Sequence, residues 1–426
     1  MIKFALQGAE APSEAAASVQ QESHIAPIPR ISIQAFCESA ETAAVMQAAT
    51  EDRRMLKAHV RVQMGGIAAA ADAYRSAPTP NVIIIESEGR GDELLAGLDS
   101  LSEVCDPGTR VIVIGRVNDI LLYRELVRRQ ISDYLIAPVD VIGVIRAVSG
   151  LFSAPEAKPV GRTIAIIGAK GGVGASTIAH NIAWSIARDL ALDSVVADLD
   201  LPFGTAGLDY NQDPPQGIAD AVFSPERIDS GFVDRLLSKC TDHLSLLAAP
   251  ATLERVYDFG ADSFDAIFDV LRNTVPCIVL DVPHVWTGWS KRLLVGADDI
   301  LIAAAPDLAN LRNVKNLMDM LKQARPNDPN AHYCLNQVGV PKRPEIKTAD
   351  FAKALEAEPA AIIPFDTQVF GTAANNGQMI AEVSANHRAA EMFKSLAQLL
   401  TGRNDVKRPR PTLLSPIIEK FKRRQA

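Results

Sequence analysis

The stretch that decides the fold is Ile166–Thr177, which reads IIGAKGGVGAST. The apolar run TIAII leads into it, and the segment that follows carries Ile178, Ile182, Ile186 and Leu190 at every fourth position. A buried strand, a glycine-rich turn and an amphipathic helix are therefore predicted in that order. Such a unit directs backbone N–H groups and the positive end of a helix dipole at one point. The stretch thus predicts a phosphate-binding loop in an α/β domain.

The loop departs from the pattern G-x-x-x-x-G-K-[ST] where Ala175 stands in place of lysine. The glycines let the backbone approach an anion closely, so most of the predicted site does not need that side chain. Ser176 can offer its hydroxyl to Mg²⁺, with Thr177 beside it for a phosphate oxygen. The predicted cofactor-binding residues of the loop are Gly171, Gly172, Val173, Gly174, Ala175, Ser176 and Thr177.

Length and composition bound the function further. The 426 residues predict two or three domains. A net charge of -8 excludes a molecule-wide positive field for nucleic acid, so nucleic acid is not an expected partner. Five widely spaced cysteines without a C-x-x-C pair favour free, buried thiols in a reducing compartment. The first residues do not resemble a signal peptide and no apolar run is long enough to span a bilayer, so we expect a cytoplasmic protein.

The pattern along the chain predicts two doubly wound parallel-sheet domains. From Ile31, short apolar runs alternate with helical patterns about five times, which is typical of a small flavodoxin-like domain. A proline-containing segment separates it from the α/β domain that holds the phosphate loop. The expected division is a leader at 1–30, a first domain at 31–150, a linker at 151–162, a second domain at 163–402 and a basic tail at 403–426.

The stretch KGGVGAST resembles the deviant phosphate loop KGGxGK[ST] of the ParA/MinD group of P-loop ATPases. The resemblance implies ATP and Mg²⁺ as cofactors and a homodimer in which Lys170 reaches the partner's phosphates. The segment SVVADLDLPFGTAGLDY resembles the D-x-D segment of the group, which implies a catalytic role for Asp200 as well as Lys170 and a structural one for Asp198. CIVLDVPH resembles its Walker B strand, which implies that Asp281 holds Mg²⁺ through water. The metal ligands implied are Ser176, Asp200 and Asp281.

Two further segments resemble the parts of that group that contact the base. YCLNQVG places Asn336 where the group reads adenine, and AIIPFDTQVF resembles the segment packed on the base, which implies Pro364 and Asp366. Loss of the lysine at Ala175 removes charge stabilisation worth several kcal/mol in the transition state. We therefore expect ATP binding with slow or no hydrolysis, unless Lys170 of a second copy supplies the charge and keeps ordinary turnover.

The first domain resembles a response-regulator receiver that has lost its phosphorylation chemistry. Its first strand offers only Glu38, and its third ends in Glu86 in place of the phospho-accepting aspartate. Gly115 replaces the hydroxyl residue after the fourth strand, and Ala137 replaces the lysine after the fifth. A pseudo-receiver fused to such an ATPase resembles the CpaE/TadZ family of Tad (Flp) pilus assembly proteins. That resemblance implies localisation and assembly of a pilus secretion machine, with pilus components or polar landmark proteins as partners.

Residues 403–426 carry eight basic against two acidic side chains. The segment IIEKFKRR could contact an anionic membrane weakly, and the alternative is that the tail is solvated. The expected location is the cytoplasm, at the cell pole or peripheral to the inner membrane. Two other functions stay open: an ATPase that cycles on membrane or DNA, and an interaction scaffold that binds no nucleotide.

Overall fold

The computed structural model describes residues 25–89, 91–152, 160–250, 252–253 and 255–403. Most of the predicted leader, the centre of the predicted linker and all but the first residue of the basic tail lie outside the described residues. Over the described part of the chain, no helix is both long and apolar enough to cross a bilayer.

Five parallel strands form the first sheet, in the order β2-β1-β3-β4-β5. The strands are β1 (Ser32–Cys37), β2 (His59–Met64), β3 (Val82–Glu86), β4 (Arg110–Gly115) and β5 (Asp133–Ile136). The helices that connect and cover them are α1 (Ala40–Thr50), α2 (Gly66–Tyr74), α3 (Asp92–Ser102), α4 (Ile120–Arg128) and α5 (Val141–Phe152). The flavodoxin-like prediction for this part of the chain is confirmed.

Alternation along the strands divides the first domain's core between the two faces of the sheet. Ile33 and Ala35 pack with α1 and α5 on one face, whereas Phe36 packs with α2 on the other. Ile28, which the sequence analysis assigns to the leader, is buried in the same core, and its N–H donates to the carbonyl oxygen of Arg54 at 2.8 Å. Packing of the first domain thus begins before β1.

Eight strands form the second sheet, in the order β13-β12-β11-β6-β10-β7-β9-β8, and all neighbours are parallel except β8 and β9. The strands are β6 (Arg162–Gly168), β7 (Ser194–Asp198), β8 (Leu237–Lys239), β9 (Leu244–Leu247), β10 (Cys277–Val282), β11 (Asp299–Ala304), β12 (His332–Val338) and β13 (Ala361–Pro364). The helices are α6 (Ala175–Asp189), α7 (Ala206–Asp209), α8 (Ile218–Val222), α9 (Ser230–Leu236), α10 (Asp265–Thr274), α11 (Gly288–Gly296), α12 (Leu308–Ala324), α13 (Thr348–Leu355), α14 (Thr367–Asn376), α15 (Ile380–Val383) and α16 (Arg388–Thr401).

Strand β6 lies at the centre of this sheet and is buried on both faces. Ile164 and Ile166 pack toward α6 and α16, and Ala165 and Ile167 pack toward α10, α11 and α12. Central strands of doubly wound sheets read as continuous apolar runs for this reason. The predicted second parallel-sheet domain is confirmed, and β6 delivers the glycine-rich loop to the carboxyl edge of the sheet.

A buried ion-pair network joins the two domains. The 3₁₀ turn Arg53–Met55, here called the arginine turn, follows α1 in the first domain. Arg53 pairs with Asp298 at 3.2 Å and with Asp328 at 2.7 Å, and Arg54 also pairs with Asp328. The side chains of Arg53, Asp298 and Asp328 are only 6%, 4% and 3% exposed, so the contact is desolvated.

Candidate phosphate-binding site

The glycine-rich loop ends β6 and begins α6, as the sequence predicts. Gly172 and Gly174 have φ of 78° and 82°, in the left-handed region that favours glycine. Gly171 and Gly172 are exposed, and no atom lies within 4 Å of the position that a Cβ would take on either residue. The backbone there is open to a ligand of the size and charge of a phosphate.

Four side chains from three other segments hold the loop by its carbonyl oxygens. Asn336 Nδ2 donates to Val173 O at 2.8 Å. The other three contacts are Gln337 Nε2 to Gly172 O at 3.0 Å, Asn313 Nδ2 to Ala169 O at 2.8 Å and His284 Nδ1 to Gly168 O at 2.8 Å. A carbonyl oxygen only accepts, so Nδ1 of His284 carries the proton. Because N–H and C=O point in opposite directions across a trans peptide, these contacts leave the N–H side of the loop for an anion.

The predicted side chains of the loop fall into two groups. Lys170 is exposed, and no described residue pairs with it, so its ammonium group is available to a ligand or to a second chain. Ala175 is the first residue of α6, and Ser176 and Thr177 follow in its first turn. All three are partly buried. They lie at the N-terminus of α6, where the helix dipole has its positive end and favours a bound anion.

Three carboxylates lie close to the loop at the carboxyl ends of β7 and β10. Asp198 and Asp281 are buried and face each other in the register of the two strands. Asp198 accepts from the N–H groups of Asp200 at 3.1 Å and Ala206 at 3.0 Å. Burial and then the charge of Asp281 raise the pKa of Asp198 to about 7, which fits the structural role expected for it. Burial also raises the pKa of Asp200, which is only partly buried.

His180, which the sequence reasoning missed, lies beneath this cluster. It is a fully buried residue of α6, with Nδ1 at 2.7 Å from Asp209 and Nε2 at 3.3 Å from Asp281. Burial lowers the pKa of His180, but the hydrogen bond to Asp209 and the close, charged carboxylates of Asp281 and Asp209 outweigh that effect and raise the pKa to about 10. The imidazolium therefore offsets the charge of the buried carboxylates. Nothing in the local sequence identified it, because a histidine on an apolar helix face has no pattern of its own.

A cavity of about 270 Å³ adjoins the loop, and the residues predicted to contact the base line it. Its lining includes Gly174, Thr177, Asn336, Pro364 and Asp366. The Asp366 carboxylate is occupied, however, because it accepts from the N–H groups of Gln368 and Val369 at the start of α14. These bonds lower the pKa of Asp366. Asp366 thus orders α14, which forms one wall of the cavity.

A larger cleft of about 1390 Å³ lies between the two domains, beside Ile28, Arg146 and Arg272. It contains none of the predicted site residues. Of these two cavities we assign the site to the smaller, because its lining includes residues of the phosphate loop and that of the larger cleft does not.

The residues present fit a nucleotide with Mg²⁺. The open glycine backbone suits phosphates, the adjoining cavity suits a base, and Ser176, Asp200 and Asp281 carry the hard oxygen atoms that Mg²⁺ prefers. Within the described residues, no three His, Cys, Asp or Glu converge as a metal site. A Mg²⁺ ion bound to phosphates needs only one or two protein ligands, because phosphate and water supply the rest.

Comparisons with known proteins bear on the fold and the family of the chain. No protein-family model matches the chain. The solved structure of a ParA family ATPase from Chlorobium tepidum is 21% identical to this chain and covers 56% of it and 98% of its own length, with a TM-score of 0.50. This likeness shows that the second domain has the same fold. The septum site-determining protein MinD of Synechocystis is 24% identical over 162 residues, which span 38% of this chain and 59% of that protein.

The solved pilus assembly protein CpaE from Caulobacter crescentus is the most informative of these relatives. It is 49% identical over 31% of this chain and 100% of the solved chain, with a TM-score of 0.30. Identity at this level over the whole of the solved chain shows the family. The protein therefore belongs to the CpaE/TadZ family of pilus assembly proteins, with a ParA/MinD-like second domain.

Proposed function

We propose that this protein binds ATP with Mg²⁺, dimerises through the bound nucleotide and positions components of a Tad/Flp pilus secretion system, with weak or absent hydrolysis. The observation that carries the proposal is the glycine-rich loop. It is held from outside by its carbonyl oxygens, opens onto a 270 Å³ cavity and lacks the lysine that would stabilise the transition state.

Binding rests on groups that Ala175 does not affect. Backbone N–H groups, the α6 N-terminus and Mg²⁺ bound to phosphate all act without a side chain at that position. When bound, Mg²⁺ supplies charge neutralisation between the phosphate oxygens. Asp200, with its raised pKa and partial exposure, is the expected positioner of a water molecule. Without a loop lysine the rate of hydrolysis is expected to be low.

The surface around the loop supports a second copy of the chain as partner. Phe203, Leu208, Trp286 and Leu308 follow the carboxyl ends of β7, β10 and β11 and are between 55% and 73% exposed. An apolar rim of this kind around a charged site is typical of a protein interface. Lys170 lies on the same edge of the sheet. In the proposed dimer its side chain would reach the nucleotide bound by the partner.

The first domain supports a role in protein contacts rather than phosphorylation. The Glu86 carboxylate already accepts from the N–H groups of Glu38 and Ser39 at 2.8 Å each and from the hydroxyls of Ser39 and Thr42. A Cβ on Gly115 would lie 2.3 Å from the Tyr134 hydroxyl, so a serine or threonine there would require Tyr134 to move. We infer a pseudo-receiver, for which neither metal binding nor acyl phosphate formation is expected.

We also propose that the chain is divided into a leader, a pseudo-receiver, a linker, an ATPase domain and a basic tail. The proposed location of the protein is the cytoplasm, at the cell pole or beside the inner membrane, where the tail would contact anionic lipid weakly. Partners are pilus components or polar landmark proteins.

The test measures ATP binding, phosphate release and molecular mass with and without ATP for the wild type, Lys170→Ala and Ala175→Lys. We expect binding by the wild type, dimers that require ATP, loss of those dimers in Lys170→Ala and phosphate release close to background. Ala175→Lys should raise hydrolysis, because it restores charge next to the phosphates.

Thermal unfolding gives an independent readout. MgATP at about 100 times its dissociation constant should raise the free energy of unfolding by ~2.7 kcal/mol. No stabilisation and no binding in all three proteins would refute the nucleotide site and leave an interaction scaffold. Phosphate release well above background in the wild type would favour instead an ATPase that cycles on membrane or DNA.

A further inference from the structure

The arginine turn of the first domain contacts three segments of the second domain at once. Arg53 Nη1 donates to Gly296 O and to Asp298 Oδ1, both at 3.2 Å, and Arg53 Nε donates to Asp328 Oδ2 at 2.7 Å. Gly296 is the last residue of α11, Asp298 directly precedes β11, and Asp328 follows the end of α12. One guanidinium group therefore fixes the ends of three neighbouring elements.

The same network reaches the strand that carries the phosphate loop. Asp298 Oδ2 accepts from the N–H group of Thr163, the second residue of β6, at 2.9 Å. Arg272 joins the two residues, because its Nε donates to Thr163 Oγ1 at 2.8 Å and its Nη2 donates to Asp298 Oδ2 at 2.9 Å. The start of β6 is thus held by a carboxylate that also binds Arg53.

The opposite ends of these elements meet at the phosphate loop. Strand β6 ends at Gly168, and α12 carries Asn313, which donates to Ala169 O. Helix α11 follows the segment that contains His284, whose Nδ1 donates to Gly168 O. Strands and helices within a packed core move as rigid units, so displacement at one end of an element is transmitted to the other.

We propose that docking of the first domain through the arginine turn is coupled to nucleotide binding at the phosphate loop. Release of the turn removes the contacts that Arg53 makes at the far ends of these elements, where Arg272 and Arg325 of the second domain remain, and so loosens the loop that the elements support. Docking therefore favours the nucleotide-bound state, and bound nucleotide favours docking to the same degree, because coupling between sites is reciprocal. This inference rests on the proposed nucleotide binding.

The test is titration of the full-length protein with MgADP, comparing the wild type with Arg53→Met and Arg53→Lys. Methionine keeps much of the aliphatic volume without the charge, and lysine keeps the charge but cannot form a planar, forked contact with three partners. We expect the dissociation constant to rise by about tenfold in both variants, within the ~5 to 150-fold range of typical couplings. Circular dichroism checks that both variants are folded.

Lys57→Met is the matched control. Lys57 also pairs across the domains, with Asp269, but the two side chains are 33% and 52% exposed and Asp269 lies inside α10. An exposed pair of this kind contributes little. The dissociation constant of this variant should stay within about twofold of the wild type, because Lys57 contacts none of Gly296, Asp298 and Asp328, the three residues that Arg53 binds.

Amide hydrogen exchange supplies the reciprocal measurement. The N–H of Ile28 donates to Arg54 O, and the N–H of Arg54 donates to Asp52 Oδ1 at 2.9 Å, so both report on the arginine turn. MgADP should slow their exchange in the wild type. Binding with an unchanged or lower dissociation constant in both Arg53 variants would overturn the coupling and leave the nucleotide site intact. An absence of MgADP binding in the wild type would overturn both.

Discussion

His180 balances the charge of the buried carboxylates around the phosphate loop. With Asp209 at 2.7 Å and Asp281 at 3.3 Å, its imidazolium lies between two anions in a fully buried position. Removing one partner from a buried ionic cluster leaves charge that nothing compensates. The positive charge of His180 thus stabilises the arrangement in which Asp198 and Asp281 lie side by side.

His180→Ala should therefore lower the free energy of unfolding by ~3–5 kcal/mol. Urea denaturation of the nucleotide-free protein measures this change. His243→Ala is the control, because His243 forms a similar contact with Asp193 at 2.7 Å but is well exposed, and its loss should cost below ~1 kcal/mol. Equal losses in the two variants would show that the buried cluster does not depend on the imidazolium.

Among elements, β3 and the N-terminus of α1 are tied together by Glu86. Burial raises the pKa of this carboxyl, but its hydrogen bonds from Ser39, Thr42 and Glu38 outweigh that effect and lower the pKa overall. A carboxyl with a lowered pKa in the folded state adds stability above its unfolded pKa, and this stability is lost as the pH falls through the folded value.

Glu86→Gln should lower the free energy of unfolding at pH 7 by ~1.5–3 kcal/mol, because hydrogen bonds to a charged acceptor are lost. The difference between wild type and variant should shrink on acidification below about pH 4.3, the ordinary value for glutamate. Denaturation at a series of pH values measures it. Glu88→Gln is the control, since Glu88 is exposed and pairs with Arg116 on the surface. A pH-independent difference would refute a role for the ionised carboxylate.

Elements and loop could be predicted from the sequence because their signals are local. The apolar run of β6, the glycines and the four-residue spacing on α6 lie within one short segment, and periodicity identifies them. The side chains that hold the loop could not be predicted in the same way. His284, Asn313 and Gln337 meet it across 116, 144 and 165 residues of chain. The assignments of Asn336 and Pro364 to one cavity came from the family resemblance rather than from any local pattern.

For the whole molecule, the buried network around Arg53 predicts that the two domains unfold together. Separating desolvated ion pairs leaves unpaired charges, at a cost of ~3–5 kcal/mol, so neither domain should melt alone. Calorimetry of the wild type should give one transition. Arg53→Met should give two, or one broadened transition at lower temperature, and Lys57→Met should leave the single transition unchanged. Two transitions in the wild type would contradict this cooperativity.

The packing of α6 against α16 also has a consequence for synthesis of the protein. The phosphate-loop helix buries one face on the sheet and another beneath Ala389, Phe393 and Leu396 of α16, the last of the described elements. A ribosome that has made the loop and its helix has not yet made the cover. The nascent second domain thus exposes an apolar groove until translation passes Leu400, and this interval is when a chaperone that recognises such surfaces would bind it.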